Sequence, residues 1–286
     1  MASGGAEGGK DFAAARSPMK NLVPRILSAS VLIPLALLSV WAGSWALFAL
    51  VLIANLLMLH EWFALTRSGS RLLEAFCGVV LAAVLAAATL GYVVEAIVLM
   101  TGGAFLSRAL AGRDRATLLP GWGLAYIGLP SLLLIDLRGS EPDGLGQVLW
   151  LFVVVWALDI GAYFSGKFIG GPKLAPRLSP NKTWAGLIGG LVLCAVAALI
   201  VEPFLTSTLN ITIWPHHPVL IVGMAVLLGI VSQLGDIGES MLKRRAGVKD
   251  AGSIIPGHGG VLDRVDGLMA ATPVMWGALA LFGASQ

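Results

Sequence analysis

Charge is what this sequence has least of. Only 12% of its 286 residues are Asp, Glu, Lys or Arg, while 57% are apolar and the mean hydropathy is +0.86. An ordinary water-soluble domain is excluded, because it could not cover that much apolar surface. Cysteine is scarcer still. Cys77 and Cys194 both lie in apolar stretches and neither has metal-ligand spacing, so disulfide and zinc chemistry are poor readings. The start of the chain lacks the apolar core of a cleavable signal, since Met1 to Lys20 is rich in Gly and Ala and reads as a flexible tail.

What the sequence does have is long apolar runs. A bilayer core roughly 30 Å thick takes about 20 helical residues to cross. Nine stretches qualify: Ile26 to Ala42, Trp45 to His60, Leu72 to Tyr92, Val94 to Ala111, Thr117 to Leu137, Gln147 to Gly166, Trp184 to Leu205, Val219 to Gly235 and Leu268 to Ala284. They predict an all-α fold, a polytopic integral membrane helical bundle of about nine transmembrane helices. Lys and Arg near span ends are retained on the cytoplasmic side. With the N-terminus in the cytoplasm, only Arg138 of the 19 basic residues falls outside. The expected organisation is a flexible basic cytoplasmic tail, residues 1–24, and a single multi-pass membrane domain, residues 25–286.

The first five spans carry few charges and no motif tied to a reaction, so they read as hydrophobic scaffold. The texture changes after Trp150. Asp159 lies in an apolar run, where an ionisable side chain is expensive unless it faces a partner or a polar cavity. Lys167 to Thr183 is basic and broken by Pro172, Pro176 and Pro180, which excludes one continuous helix. Its basic residues could simply be anchors touching anionic head groups. Ser179-Pro-Asn181-Lys182-Thr183 is sharper, because its hydroxyls, amide and ammonium stand just ahead of the span opening at Trp184, where helical N–H groups could help hold a phosphate.

The densest polar segment runs from Asp236 to Asp266. Asp236, Asp263 and Asp266 are hard oxygen donors of the kind Mg²⁺ accepts, and Asp263 and Asp266 share a face if helical. Lys243, Arg244 and Lys249 can offset phosphate charge, and Pro256-Gly257-His258-Gly259-Gly260 permits close backbone approach to a ligand. A solvated basic loop is the bland alternative. Paired glycines around a histidine, and two Asp at helical spacing beside a span, make that alternative weak. The parts are those of a phosphoryl or nucleotidyl transfer site.

These residues carry a resemblance to the phosphatidate cytidylyltransferase family, the CDP-diacylglycerol synthases. Ser240-x-Leu-Lys243-Arg244, Lys249-Asp250, Gly252, Ile255-Pro256, His258-Gly259-Gly260, Asp263-Arg264 and Asp266 match its C-terminal signature at every position. Asp159-Ile-Gly-Ala-Tyr163 and Lys173 to Trp184 resemble family segments in the right order, which places the motif-bearing catalytic part at residues 156–266. Asn181 departs from the family's frequent Lys, and Ala185 from its frequent Glu.

The resemblance implies that CTP and phosphatidate give CDP-diacylglycerol and pyrophosphate, with Mg²⁺ required and a second mono- or divalent cation allowed. It implies catalytic roles for Asp236, Asp263, Lys249, Arg264 and His258, and metal ligation by Asp236, Asp263 and Asp266. Substrate binding falls to Asp159, Ser179, Asn181, Lys182, Thr183, Ser240, Lys243, Arg244, Gly259 and Gly260. The expected partners are CTP, phosphatidate and membrane lipid, with no nucleic acid and a homodimer plausible for the family. The expected location is the plasma (inner) membrane, with the site facing the cytoplasm. Two rivals remain at this level: a membrane lipid or polyprenol kinase, which would transfer a γ-phosphoryl group, and an ion-coupled transporter, for which no inverted repeat is seen.

Overall fold

A computed structural model describes residues 22–67, 70–111, 119–214 and 217–282. The expected tail therefore lies almost wholly outside the described residues, as do Lys10, Arg16, Lys20, Arg113 and Arg115 of the basic inventory. Among the described residues there are nine helices: α1 (Leu22–Ala42), α2 (Ser44–Thr66), α3 (Arg71–Thr89), α4 (Val93–Leu110), α5 (Leu119–Gly139), α6 (Gly144–Phe168), α7 (Trp184–Leu209), α8 (Pro218–Arg245) and α9 (Leu262–Phe282). Eight are long and apolar enough to cross a membrane, and α1 has the shorter apolar run Ile26–Ala42. The chain is an all-α polytopic membrane bundle.

Each expected span corresponds to one helix, but three boundaries move by six residues or more, and α2 runs on past His60 to Thr66. α8 continues past Gly235 to Arg245, and α9 begins at Leu262 rather than Leu268. Both extensions are polar, so hydropathy stops short of them, while backbone hydrogen bonding does not. Lys243, Arg244 and Arg245 close α8 where cations suit the negative end of the helix dipole, and Gly247 at φ 77° ends it. Asp236 and Asp266 thus stand on helices, not in a loop.

The Pro-rich connection is not helical, as expected. It folds into a short hairpin of β1 (Lys173–Ala175) and β2 (Ser179–Thr183), antiparallel, with Lys173 opposite Thr183. Thr183 then caps α7, its hydroxyl accepting from the Gly186 N–H at 3.0 Å.

Packing divides the helices into α2–α5 and α6–α9, and α5 joins the groups through contacts with both α6 and α9. Leu124, Ile127, Trp150, Leu151 and Leu158 are fully buried in that core. α8 and α9 approach closely at Gly235, where an added Cβ would lie 2.5 Å from the Ala270 Cβ and 2.8 Å from the Asp266 carbonyl oxygen. Along α8 and α9 that crossing lies within about a turn of Asp236, Glu239, Asp263 and Asp266.

Candidate active site

Along α8, Asp236, Glu239, Ser240 and Lys243 fall at i, i+3, i+4 and i+7, so one face carries all four. That face meets the first turn of α9. The Lys243 ammonium donates to Asp263 Oδ1 at 2.5 Å and lies 3.5 Å from Glu239 Oε1. Asp263 Oδ2 accepts from the N–H groups of Ala251, at 2.9 Å, and Gly260, at 2.8 Å. Its side chain is only 3% exposed, so all this neutralisation is internal.

Asp236 pairs with Lys182 of the hairpin, and the Ser240 hydroxyl reaches towards Asp236 Oδ1 at 3.5 Å. Arg244 fixes the hairpin from the other side, donating to the Leu178 carbonyl at 3.4 Å and to the Val248 carbonyl at 3.3 Å. Glu239 and Asp266 lie side by side between α8 and α9. Glu239 is 2% exposed and lies between the Asp266 carboxyl and the Lys243 ammonium. Asp159 of α6 is exposed at this end of the bundle. It stands within electrostatic reach of Asp236, Asp266, Lys182 and Arg264.

Three of the expected segments therefore converge: the hairpin, the end of α8 and the start of α9, with Asp159 beside them. Five carboxylates (Asp159, Asp236, Glu239, Asp263 and Asp266) face three cations (Lys182, Lys243 and Arg264). Among the described residues, no group of three His, Cys, Asp or Glu is already drawn together around a point that could hold a metal ion. The carboxylates of Asp236 and Asp263 are instead engaged by lysines.

Other expected site residues sit apart or are committed locally. Thr183 spends its hydroxyl on the α7 cap, and Gly260 spends its N–H on Asp263. Gly259 takes φ 88° in a turn closed by the Ile255 N–H to its carbonyl at 2.9 Å. His258 Nδ1 is 2.5 Å from the Ser28 hydroxyl of α1. Asn181 and Lys249 are exposed.

The sequence reading missed three residues at this end. Glu239 had a usable signal, the i, i+3 spacing from Asp236, hidden because the apolar run that marks the span ends at Gly235. Tyr126 of α5 packs on Trp62 with ring centroids 5.4 Å apart and comes within electrostatic reach of Glu239, Asp266 and Asp236. Glu61 of α2 is 1% exposed, and its two oxygens accept the N–H groups of Val261 and Leu262, each at 2.9 Å. Neither Tyr126 nor Glu61 is surrounded by any motif in the sequence.

The arrangement can bind an anionic phosphate between lysines and collect a cation among carboxylates, beside apolar helix faces open to lipid. The chain matches a family model described as the cytidylyltransferase family over residues 23–282. It is 40% identical over 271 residues to a phosphatidate cytidylyltransferase of Brucella suis, covering 93% of this chain and 94% of that one. It is 43% identical over 157 residues to a phosphatidate cytidylyltransferase of Bacillus subtilis, covering 55% and 56%, and 48% identical over 130 residues to one from Haemophilus influenzae, covering 46% and 44%. An all-α membrane bundle with this junction, matched across almost its whole length, belongs to the cytidylyltransferase family.

Proposed function

We propose that the chain is a phosphatidate cytidylyltransferase, joining CTP and phosphatidate into CDP-diacylglycerol and pyrophosphate. The observation that carries this reading is the junction of Lys182 and Asp236 with Lys243 and Asp263, at the polar ends of spanning helices in a chain of this family. A soluble triphosphate and a membrane lipid can meet only at such a boundary. A phosphatidate oxygen attacks the α-phosphorus of CTP, the bond to the β-phosphate oxygen breaks, and pyrophosphate leaves. No covalent enzyme intermediate is required.

A triphosphate competes with Asp236 and Asp263 for the ammonium groups of Lys182 and Lys243, so binding it frees carboxylate oxygens as it engages the lysines. Arg244, Lys249 and Arg264 add positive charge around the same end, with Ser179, Asn181 and Ser240 as neutral donors. Asp159 stands beside these groups on α6. His258 holds its loop to α1, a supporting role.

Magnesium suits this donor set, because carboxylates outnumber cations and the buried Glu239 carboxyl lies against that of Asp266. Asp236, Asp263 and Asp266 would hold it, with Glu239 beside them and a second mono- or divalent cation compatible with the charge. When bound it neutralises phosphate charge and polarises the α-phosphate.

The reading places the N-terminus and the site on the cytoplasmic side of the plasma (inner) membrane, supported by the distribution of Lys and Arg. Residues 25–286 then form one membrane domain, with the motif-bearing part at 156–266 and residues 1–24 as a cytoplasmic tail. It includes no nucleic acid, and it is compatible with a homodimer. The test is to supply purified protein with CTP, phosphatidate and Mg²⁺. CDP-diacylglycerol must appear, and must stop appearing when EDTA removes the cation or phosphatidate is left out. A product that forms without phosphatidate overturns the reading.

A further inference from the structure

The loop that presents Asp263 is held from below by a side chain of the other half of the bundle. Val261 and Leu262 stand at the start of α9, where the first backbone N–H groups have no partner inside the helix. Glu61 supplies both partners, one carboxylate oxygen to each N–H at 2.9 Å. The next N–H back, on Gly260, is taken by Asp263 itself. Two carboxylates thus fasten three consecutive amides, and the second is the one proposed to act on the substrates.

Two glycines of the loop are explained by Glu61 rather than by a ligand. An added Cβ at Gly252 would lie 2.6 Å from Glu61 Oε1, and one at Gly260 would lie 2.8 Å from both Glu61 oxygens. The loop therefore closes over the carboxylate with no room for a side chain at either place. Glu61 has no ion-pair partner among the described residues, and its negative charge rests on the positive end of α9. A neutral amide at position 61 could accept from one N–H but would turn its own donors towards the other.

We infer that Glu61 is a positioning residue of the active site: it sets the register of residues 260–262 and so aims Asp263 at the junction with Lys243. The inference rests on the proposed location of the reaction, and it gives the N-terminal half a definite task. Tight geometric control matters there, since a misplacement of about 1 Å can cost on the order of 100-fold in rate.

The experiment compares the full-length wild type with Glu61→Gln and Glu61→Asp in lipid nanodiscs, by hydrogen–deuterium exchange over residues 256–263 and by kcat and KM for CTP. Glu61→Gln is expected to speed exchange of the Val261 and Leu262 amides while α6 and α7 keep their protection. It is also expected to lower kcat about 100-fold with KM for CTP within about threefold. Glu61→Asp keeps the charge on a shorter arm and should fall between. If Glu61→Gln cannot be recovered folded, Glu61→Asp decides alone, with faster exchange at 261–262 and reduced kcat supporting the inference. Wild-type kcat in a folded variant, or lost kcat with unchanged exchange at 261–262, overturns it. Should the wild type make no CDP-lipid at all, the functional reading fails, yet the exchange measurement still decides whether Glu61 holds the loop.

Discussion

Glu61, near the end of α2, and Glu202, near the end of α7, are both almost fully buried, and each fastens two consecutive backbone N–H groups outside its own helix, some 200 residues away for Glu61 and 11 and 12 for Glu202. Glu61 takes Val261 and Leu262; Glu202 Oε1 takes Ile213 and Trp214, each at 2.9 Å. What they fasten is different. The segment under Glu202 leads into the start of α8, at the opposite end of that helix from Lys243, and its Ile211, Ile213 and Trp214 are buried. Trp214 packs edge-on against Trp150 with centroids 5.7 Å apart. The segment under Glu61 carries Asp263 and faces Lys243, Glu239 and Asp266. A buried carboxylate in a membrane bundle is thus not a functional mark by itself; the groups beside the backbone it holds decide its meaning.

The comparison can be broken or sharpened in order of expected effect. Asp263→Asn or Asp236→Asn should lower kcat/KM about 1000-fold, near 4 kcal/mol, while the protein still elutes as a single species in size-exclusion chromatography. A rate within about tenfold of wild type would remove these side chains from the chemistry. Glu61→Gln follows at about 100-fold, as argued above. Lys182→Ala should lower kcat/KM for CTP by roughly 10- to 100-fold, because it removes an ammonium that Asp236 now holds and a phosphate could claim.

Two smaller effects complete the series. His258→Ala should lose less than about tenfold and keep the shape of the pH–rate profile, since Ser28 already engages its Nδ1; a lost limb in that profile would make it a general acid or base. Glu202→Gln should leave kcat within about threefold while costing about 1–3 kcal/mol of stability, read as a lower melting temperature. If Glu202→Gln instead matches Glu61→Gln in kcat, the two ends of the molecule are not functionally distinct.

Much of this was legible in the sequence. Apolar runs locate the nine helices, the signature spacing brings Lys243 and Asp263 into view, and the Pro-rich connection and the charge-dense segment supply Lys182 and Asp236. Hydropathy hid the polar extensions of α8 and α9, because a span predictor ends where apolar residues end, and with them it hid Glu239 on the α8 face. Glu61 was illegible for a different reason. Its partners are backbone amides some 200 residues away, and an amide leaves no trace in residue identity. Gly260 read as room for a ligand, whereas an added Cβ there, as at Gly252, would meet Glu61.

The most direct test follows the two ends of the triphosphate at once, with CTP labelled at the α-phosphate in one sample and at the γ-phosphate in another. Purified protein with phosphatidate and Mg²⁺ should place the α-label in the lipid product and the γ-label in pyrophosphate. The γ-label in the lipid, with CDP released, would mean that a terminal phosphoryl group is transferred and would contradict cytidylyl transfer.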